Sequence, residues 1–253
     1  MYIKIIYKSL IPEKTRISIK IFIRKIISLK YKGDNIKCNC CNKHFSEFLP
    51  YGDTKIKRLN AACPWCNSLE RTRMLWSFLN KSDFLKKNTK VLHFAPAKII
   101  EKLLKNNTNI TYLSCDINPA LAMDQADITS LKYANSSFNL IICGHVLSVV
   151  KQEKKALEEL YRVLKKGGTL IILEHIHKKY EQTYEEPSIL NDVKRKKYYG
   201  KPYLERLYGK DFIKRPEKVG FTVKTYDYKN ELTQTNIDKF GLQNAGVLFL
   251  CKK

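Results

Sequence analysis

The fold of this chain is decided by the stretch FNLIICGHVL, residues 138–147, and by its continuation to Leu173. The segment from Phe138 to Cys143 is almost entirely apolar, with two serines before it and Gly144 after it. A short apolar run with such boundaries is typical of a strand that is buried on both faces of a parallel sheet. We therefore predict a central buried strand here.

The residues that follow predict a helix and then a second strand. Between Val150 and Leu164, apolar residues recur at helical spacing, and the sequence KKGG at residues 165–168 is typical of a helix end. The sequence TLIIL at residues 169–173 predicts another buried strand. Strand, helix and strand together indicate one right-handed βαβ unit.

Length and composition limit the classes of protein to which this chain can belong. The chain has 253 residues, of which 44% are hydrophobic, so it can build one large domain with a small module and is not wholly disordered. No apolar run reaches the roughly 18 residues that cross a bilayer. The beginning of the sequence lacks the cleavage site of a signal peptide. We therefore expect a cytoplasmic protein.

The chain is strongly basic. Forty-seven Lys and Arg residues against 24 Asp and Glu residues give a net charge of +23. Such a charge favours contact with nucleic acid, anionic lipid surfaces or phosphorylated substrates. The alternative is a general drift in composition, because the chain is rich in Lys, Ile and Asn throughout. Composition leaves both interpretations open.

The first 32 residues are basic and apolar. As a helix, this segment has an apolar side opposite Lys20, Arg24, Lys25 and Ser28. The apolar side contains Ile19, Phe22, Ile23, Ile26, Ile27 and Leu29. The alternation of isoleucines over residues 17–23 also suits a strand. A helix of this kind either packs its apolar face on its own domain or lies on an anionic membrane surface.

Two Cys-x-x-Cys pairs predict a metal site. They lie in CNCC at residues 38–41 and in CPWC at residues 63–66. Two such pairs can supply a closed tetrahedral shell of thiolates, so we predict a structural zinc site of the ribbon type. The expected ligands are Cys38, Cys41, Cys63 and Cys66, and Asn42 suits the left-handed turn after the first pair. The alternatives are unmetallated core cysteines or a redox role for the second pair.

Two further strands precede the βαβ unit. KVLHFAP at residues 90–96 predicts a first strand and its turn, although no glycine is present to let backbone approach a cofactor. TYLSCD at residues 111–116 predicts a second strand that ends in Asp116. An acid at that position can accept hydrogen bonds from ribose hydroxyls. The alternative for Asp116 is a helix N-cap.

These motifs resemble a known family. The βαβ unit is similar to the fourth and fifth strands of class I S-adenosylmethionine-dependent methyltransferases. FLPYG at 48–52, the segment 58–66 and SLERTR at 68–73 resemble the zinc-knuckle front of a bacterial group associated with surface polysaccharide gene clusters. A glycine-free turn after the first strand is what this resemblance implies. Thr72 and Ala97 depart from it, because the group has His and Glu there.

The resemblance implies S-adenosylmethionine as the cofactor. Asp116 would bind the ribose and Asp127 the adenine amino group. The full set of implied cofactor-binding residues is His93, Phe94, Ala95, Pro96, Asp116, Ile117, Asp127, Ile128, Gly144 and His145. Tyr184, Arg206 and Tyr208 match the substrate-binding segments of the group.

His145 and Glu185 are the candidate bases. The Glu-His pair that the group has after its fourth strand is replaced by Ser148 and Val149, and an Asp-His pair near Gly200 is also missing. His145 follows the end of a buried strand, where ligands bind in open α/β sheets, although a lone histidine can also be structural.

We therefore predict an α/β fold with a seven-stranded, mostly parallel Rossmann-like sheet and helices on both faces. Residues 1–32 would form the basic segment, 33–82 the zinc ribbon with a linking helix, and 83–253 the methyltransferase domain. The resemblance implies methyl transfer to a saccharide or phosphate-linked glycan. The alternatives are an RNA methyltransferase and a catalytically silent scaffold, and the basic segment gives peripheral contact with an anionic membrane as a further expectation.

Overall fold

The computed structural model describes residues 12–53, 56–86 and 88–253. Within them the chain forms two compact units. The first contains the residues up to Ser82 together with Ala97–Leu103 and Tyr228–Ala245, and the second contains Asp83–Pro96, Leu104–Asp227 and Gly246–Lys253. Two segments from beyond residue 82 therefore belong to the first unit.

The helices and strands are numbered here in chain order. The helices are α1 (Glu13–Leu29), α2 (Glu70–Lys81), α3 (Lys98–Lys105), α4 (Glu153–Val163), α5 (Asp192–Tyr199), α6 (Lys214–Glu217) and α7 (Gln234–Lys239). The strands are β1 (Ile36–Cys38), β2 (Lys43–Phe45), β3 (Leu49–Asp53), β4 (Ile56–Ala62), β5 (Thr89–Phe94), β6 (Ile110–Asp116), β7 (Asp124–Gln125), β8 (Phe138–Gly144), β9 (Leu164–Leu173), β10 (Thr222–Tyr226) and β11 (Leu248–Lys252).

The second unit is built on the predicted seven-stranded sheet. Its strand order is β10-β11-β9-β8-β5-β6-β7. Strands β5 to β9 run parallel to one another, whereas β11 runs antiparallel to β9 and β10 antiparallel to β11. The chain enters the sheet at β5, moves outward to β6 and β7, and then returns to β8 on the other side of β5. The strand order therefore reverses between β5 and β8, which is where open α/β sheets bind ligands.

Burial of apolar side chains explains why this sheet forms. Strands β8 and β9 are covered on both faces, and Leu140, Ile142 and Leu170 are fully buried. Helix α4 places Leu157 and Leu160 against the same core. Each such side chain stabilises the fold by about 2 kcal/mol relative to an exposed one. The predicted buried strand and its following helix are thus confirmed.

The junction between α4 and β9 differs from the prediction. We expected the glycine pair to end the helix, but α4 already ends at Val163 and Leu164 has an extended backbone. Leu164 pairs with Phe138, and the next paired residue of β9 is Thr169. Residues 165–168 therefore bulge out of the ladder between these two positions, and the left-handed backbone of Gly167 (φ 74°) lies in this bulge.

The first unit contains α1 and the hairpins β1–β2 and β3–β4. The helix expected in the basic segment is present over the described part, so the strand alternative is wrong there. Of the two placements expected for the apolar side of α1, packing on its own domain is not seen among the described residues. Phe22 and Ile26 are exposed, whereas Ser28 on the polar side is buried. The remainder of the segment, residues 1–11, lies outside the described residues.

A buried arginine joins three segments of the first unit. The Arg73 guanidinium donates to the carbonyl oxygens of Ala61 and Ser68 at 3.0 and 2.6 Å. It also donates to those of Phe240 and Gly241 at 2.7 and 2.6 Å. Burying a guanidinium charge without acceptors would be costly, so the four carbonyl oxygens stabilise the buried charge of Arg73.

Arg73→Lys should destabilise the first unit by about 2–4 kcal/mol, because an ammonium cannot reach all four carbonyls. Urea unfolding followed by far-UV circular dichroism measures the loss. Arg58→Lys is the matched control, because Arg58 is a partly exposed partner of Glu70, and it should cost about 1 kcal/mol or less. Equal losses in the two variants would contradict the role given to Arg73.

Candidate functional site

Four cysteines of the first unit meet at one point. The Sγ atoms of Cys38, Cys41, Cys63 and Cys66 all lie within 4.8 Å of one another. Cys38 Sγ lies 3.6 Å from Cys66 Sγ, and Cys41 Sγ lies 3.8 Å from Cys63 Sγ. A tetrahedral zinc shell with Zn–S bonds of about 2.3 Å places its sulfurs about 3.8 Å apart. The donor set therefore fits Zn²⁺ in both chemistry and spacing.

The surrounding residues orient these thiols. An asparagine with a left-handed backbone follows each pair, with φ 57° at Asn42 and 60° at Asn67. The Ser68 hydroxyl lies 3.2 Å from the sulfurs of both Cys38 and Cys66. Cys40 is buried near the carbonyl of Thr72 and is not part of the cluster. Because four thiolates close the shell, the site suits a structural ion.

The second site lies at the carboxyl edge of the large sheet. Phe94 of β5 pairs with Cys115 of β6 on one side and with Cys143 of β8 on the other. Gly144 of β8 pairs with Leu173 of β9. The residues directly after these strands therefore meet along one edge, on both sides of the point where the strand order reverses.

Two turns at this edge have unusual backbone conformations. Ala95 after β5 has φ 45°, and His145 after β8 has φ 57°. Both lie in the left-handed region, which costs a non-glycine residue about 1–3 kcal/mol and is frequent at functional sites. Backbone N–H groups hold both turns, from Ala95 to Cys115 O at 2.9 Å and from His145 to Leu173 O at 2.8 Å. The turn after β5 thus has a left-handed backbone without a glycine.

The two predicted acids follow neighbouring strands. Asp116 is the last residue of β6, and Asp127 lies two residues after β7. Asp116 Oδ1 accepts a hydrogen bond from Asn118 N at 2.8 Å, which makes a turn and not a helix N-cap. Asp127 Oδ1 accepts from the backbone and hydroxyl groups of Thr129, both at 2.8 Å. In each carboxylate, Oδ1 accepts these hydrogen bonds. Both side chains are therefore fixed at positions from which Oδ2 could bind a ligand.

His145 faces a buried carboxylate that we did not predict. Its Nδ1 lies 3.8 Å from Glu174 Oε2, and the Glu174 side chain is only 1% exposed, against 38% for His145. Glu174 Oε1 accepts from the backbone N–H of Ser148 at 3.3 Å. Burial raises the pKa of Glu174 to about 7, although hydrogen bonds from Ser148 and Leu147 oppose this rise. The pair therefore combines an accessible imidazole with a carboxyl group that titrates near neutral pH.

The sequence contained a signal for Glu174. This residue directly follows β9, whose neighbour in the sheet is β8, and His145 directly follows β8. Carboxyl ends of adjacent parallel strands lie side by side, so an acid after one strand and a histidine after the other will be close. The signal could be used only once β8 and β9 were known to be paired.

Glu174→Gln should remove a pH dependence of stability. Because the folded pKa of about 7 is above the ordinary value of 4.5, stability from this group is fully present below pH 4.5 and lost as the pH rises through 7. The wild type should therefore be less stable than the variant at pH 8, by up to about 3 kcal/mol. Urea unfolding at several pH values tests this. Glu158→Gln, an exposed change on α4, should leave the pH profile as it is.

The remaining cofactor candidates occupy different environments. His93 and Phe94 are buried in the sheet, and burial lowers the pKa of His93 to about 3, so its ring is neutral. Its Nδ1 lies 3.1 Å from the Tyr112 hydroxyl. Ile117 is exposed and Ile128 is buried. Pro96 is buried and Gly144 half-buried at the ends of their strands. Their predicted roles stay predictions.

Glu185, Arg206 and Tyr208 belong to a network of ion pairs and hydrogen bonds. Arg206 is buried and donates to Glu185 Oε1 at 2.8 Å, and Arg215 donates to Glu185 Oε2 at 3.0 Å. Burial opposes ionisation of Glu185, yet these two guanidiniums hold its pKa below the usual value. A carboxylate with a lowered pKa and two cationic partners is a poor general base. Glu185 is therefore poorly suited to be the base.

Arg206 also holds the loop that follows β8. It donates to the carbonyl oxygens of Leu147 and Val150 at 2.6 and 2.7 Å. The buried Tyr208 hydroxyl donates to Glu153 at 2.6 Å. Tyr184 is half-buried and stacks on Tyr180, with 6.0 Å between ring centroids. Of the three predicted substrate-binding residues, Arg206 and Tyr208 belong to this network of ion pairs and hydrogen bonds, whereas Tyr184 makes ring contacts outside it. The substrate-binding roles of all three stay predictions.

Part of the second unit is similar to known methyltransferases. The profile of the family described as "Methyltransferase domain" matches residues 89–172. A 2-phytyl-1,4-naphtoquinone methyltransferase of Nostoc punctiforme is 30% identical over 120 residues, which are 43% of this chain and 52% of that protein. A ubiquinone/menaquinone biosynthesis C-methyltransferase of Neisseria meningitidis is 39% identical over 67 residues, or 26% of this chain and 27% of that protein. The chain thus spans about half or less of these relatives.

Solved structures agree on the fold. An S-adenosylmethionine dependent methyltransferase from Mesorhizobium loti superposes with a TM-score of 0.52 and 12% identity, covering 74% of this chain and 98% of that one. At this identity the similarity concerns the fold alone. It extends beyond the matched segment to most of the chain. The strand order of the second unit is thus that of a Rossmann-like methyltransferase fold, and residues 89–172 within it are similar to the methyltransferase domain family.

Proposed function

We propose that this protein transfers a methyl group from S-adenosylmethionine to an acceptor that loses a proton in the reaction, with His145 as the proton acceptor. The observation that carries this proposal is the placement of His145. It lies where the strand order reverses, at the carboxyl end of β8, with Nδ1 3.8 Å from Glu174 Oε2. Open α/β sheets bind their ligands at that point.

The residues at the sheet edge suit the cofactor. When bound, S-adenosylmethionine supplies an electrophilic methyl group. Asp116 would accept hydrogen bonds from the ribose hydroxyls, and Asp127 would accept one from the adenine amino group. The left-handed turn at Ala95 would present backbone to the cofactor at a position that has no glycine. Alignment of the acceptor with the methyl group would then supply most of the reduction in the activation barrier to methyl transfer.

Glu174 supports the proton transfer. When His145 takes a proton it becomes an imidazolium, and a nearby carboxylate stabilises that charge. Glu174 is positioned for this by the Ser148 backbone, which donates to its other oxygen. Glu174 is thus a positioning residue, whereas His145 is the catalytic one.

A phenolic ring, such as that of a reduced quinone, is the acceptor we propose first. The Nostoc and Neisseria relatives are named for quinone methylation. A phenol has a pKa of about 10, so imidazole can take its proton more readily than that of a weakly acidic aliphatic hydroxyl. His175, His177 and Tyr180, which follow β9, form a series of ring contacts that suits a flat acceptor.

A saccharide or phosphate-linked glycan is the second acceptor class. It is favoured by the resemblance of residues 48–73 to the polysaccharide-associated group, and these residues lie outside the matched segment 89–172. RNA is a third acceptor to test, and only the net charge of +23 and the thiolate cluster favour it.

Calorimetric titration of the zinc-loaded protein with S-adenosylmethionine tests the cofactor site. Asp116→Ala should weaken binding about 10–100-fold, because hydrogen bonds from the ribose to a carboxylate are lost. Asp34→Ala, a change of the same kind at an exposed position, should bind like the wild type. Failure of the folded wild type to bind would overturn the proposal and favour the catalytically silent scaffold.

Transfer of a labelled methyl group tests the acceptor. The full chain is incubated with a reduced naphthoquinone, with a glycan extract and with RNA in parallel. Label in the quinol supports the first acceptor, whereas label only in the glycan or only in RNA replaces it by that class. Cofactor binding without label in any of the three overturns the acceptor assignment while leaving the cofactor site intact.

A further inference from the structure

Helix α1 exposes a continuous apolar surface. Its outward side consists of two adjacent rows with helical spacing of three or four residues. The rows are Ile19, Ile23 and Ile27, and Phe22, Ile26 and Leu29. Phe22 is 64% exposed and Ile26 is 55% exposed. The surface extends over much of a helix about 26 Å long.

The polar side of α1 is the side that contacts the first unit. Arg24 Nη1 donates to the carbonyl oxygen of Cys63 at 3.0 Å, so the helix is fixed to the second cysteine pair. Lys25 Nζ lies over the Trp65 ring at 5.3 Å, and Ser28 is buried. These contacts fix the rotation of α1 and direct its apolar rows to the surface, opposite to what amphipathicity alone predicts.

Cations border the apolar rows. Lys20 and Lys30 are exposed, and the acidic residue within α1 is Glu13 at its first position. An apolar strip with basic flanks matches a bilayer surface, where acyl chains meet anionic headgroups. In the part of the chain that the structure describes, no helix is long and apolar enough to cross a membrane.

We propose that this outward face of α1 binds the surface of anionic lipid bilayers, with the helix lying in the plane of the interface. Phe22 and Ile26 enter the boundary between headgroups and acyl chains, and the flanking lysines contact lipid phosphates. This proposal is independent of the methyl acceptor, because it concerns residues outside the matched domain and is tested without cofactor.

A second copy of the chain fits this face less well. In a symmetric dimer the same patch meets itself. The lysines on the flanks of both patches would then be brought together, and like charges oppose such an interface. The charge of the surface therefore favours a negatively charged partner, and its apolar rows favour lipid over nucleic acid.

Cosedimentation of the full-length, zinc-loaded protein with vesicles tests the proposal. The vesicles contain phosphatidylcholine alone, or with about a third of the lipid replaced by phosphatidylglycerol. We expect at least about tenfold stronger binding to the anionic vesicles. The double variant Phe22→Ser, Ile26→Ser should lose about tenfold or more of this binding. The control Val193→Ser, an exposed apolar position on α5, should bind like the wild type.

Two further measurements make the outcome decisive. Lys20→Gln combined with Lys30→Gln should weaken binding to anionic vesicles severalfold and leave binding to neutral vesicles unchanged. Equal binding to both kinds of vesicle, or wild-type binding by the Phe22 and Ile26 variant, would overturn the proposal. It would also be overturned if sedimentation without lipid gave a dimer that this variant dissociates. Circular dichroism and zinc content verify that every variant is folded.

Discussion

Cys63→Ser should lose its zinc and unfold the first unit. Cys63 is fully buried, and its sulfur lies 3.8 Å from Cys41 Sγ in the thiolate cluster. Zinc held by four thiolates contributes about 10 kcal/mol or more to folding, comparable with the whole stability of a typical domain. The hairpins β1–β2 and β3–β4 are short, so we expect their stability to depend on a bound zinc ion more than on their own backbone hydrogen bonds.

Metal content by atomic emission and hydrogen exchange of residues 33–82 measure this loss. Cys40→Ser is the matched control. Cys40 is buried in the same segment but lies outside the cluster, so this variant should keep one zinc per chain and slow exchange. Removing zinc from the wild type with a chelator should reproduce the Cys63→Ser pattern. A zinc-free protein with protected hairpins would show that the cluster is an unmetallated core.

His145→Asn should lower kcat by about 100-fold to 10,000-fold, which is the usual contribution of a general base. Asparagine is chosen because it tolerates the left-handed backbone that His145 adopts at φ 57°. The turn after β8 should therefore keep its conformation, and the affinity for S-adenosylmethionine should change by no more than about threefold. The variant thus separates proton transfer from folding and cofactor binding.

The readout is the rate of methyl transfer at saturating cofactor and acceptor, with calorimetry for cofactor affinity. His44→Asn repeats the chemical change at a partly exposed histidine of the first unit and should leave kcat unchanged. A His145→Asn enzyme with nearly wild-type kcat would show that the acceptor needs no base from this residue. Loss of cofactor binding in the same variant would instead make His145 a binding residue.

Much of the fold can be derived from local patterns. The apolar run before Gly144 predicted a buried strand, because a strand covered on both faces leaves no room for alternation. The spacing of the two cysteine pairs predicted the thiolate cluster, because each pair can direct both sulfurs to one point only with a two-residue gap. These features depend on residues close together in the sequence.

Backbone conformation at the sheet edge was not readable from residue types. Ala95 has the left-handed turn that glycine usually provides, and His145 has it after β8. Neither residue prefers that region, so the cost must be met by the strands that hold each turn. The carboxylate of Glu174 was missed for a similar reason, since its neighbour His145 is close only through the pairing of β8 with β9.

The sequence by itself determined the buried strands, the helix of the βαβ unit, the two cysteine pairs of the cluster and the amphipathic character of α1, because each follows from spacing along a single segment. Only the tertiary structure decided which side of α1 faces outward, since Arg24 is anchored by the carbonyl of Cys63. It also decided that Glu185 is held by two arginines, whereas His145 lies beside Glu174. Such long-range contacts depend on the packing of distant segments, and local patterns contain no information about them.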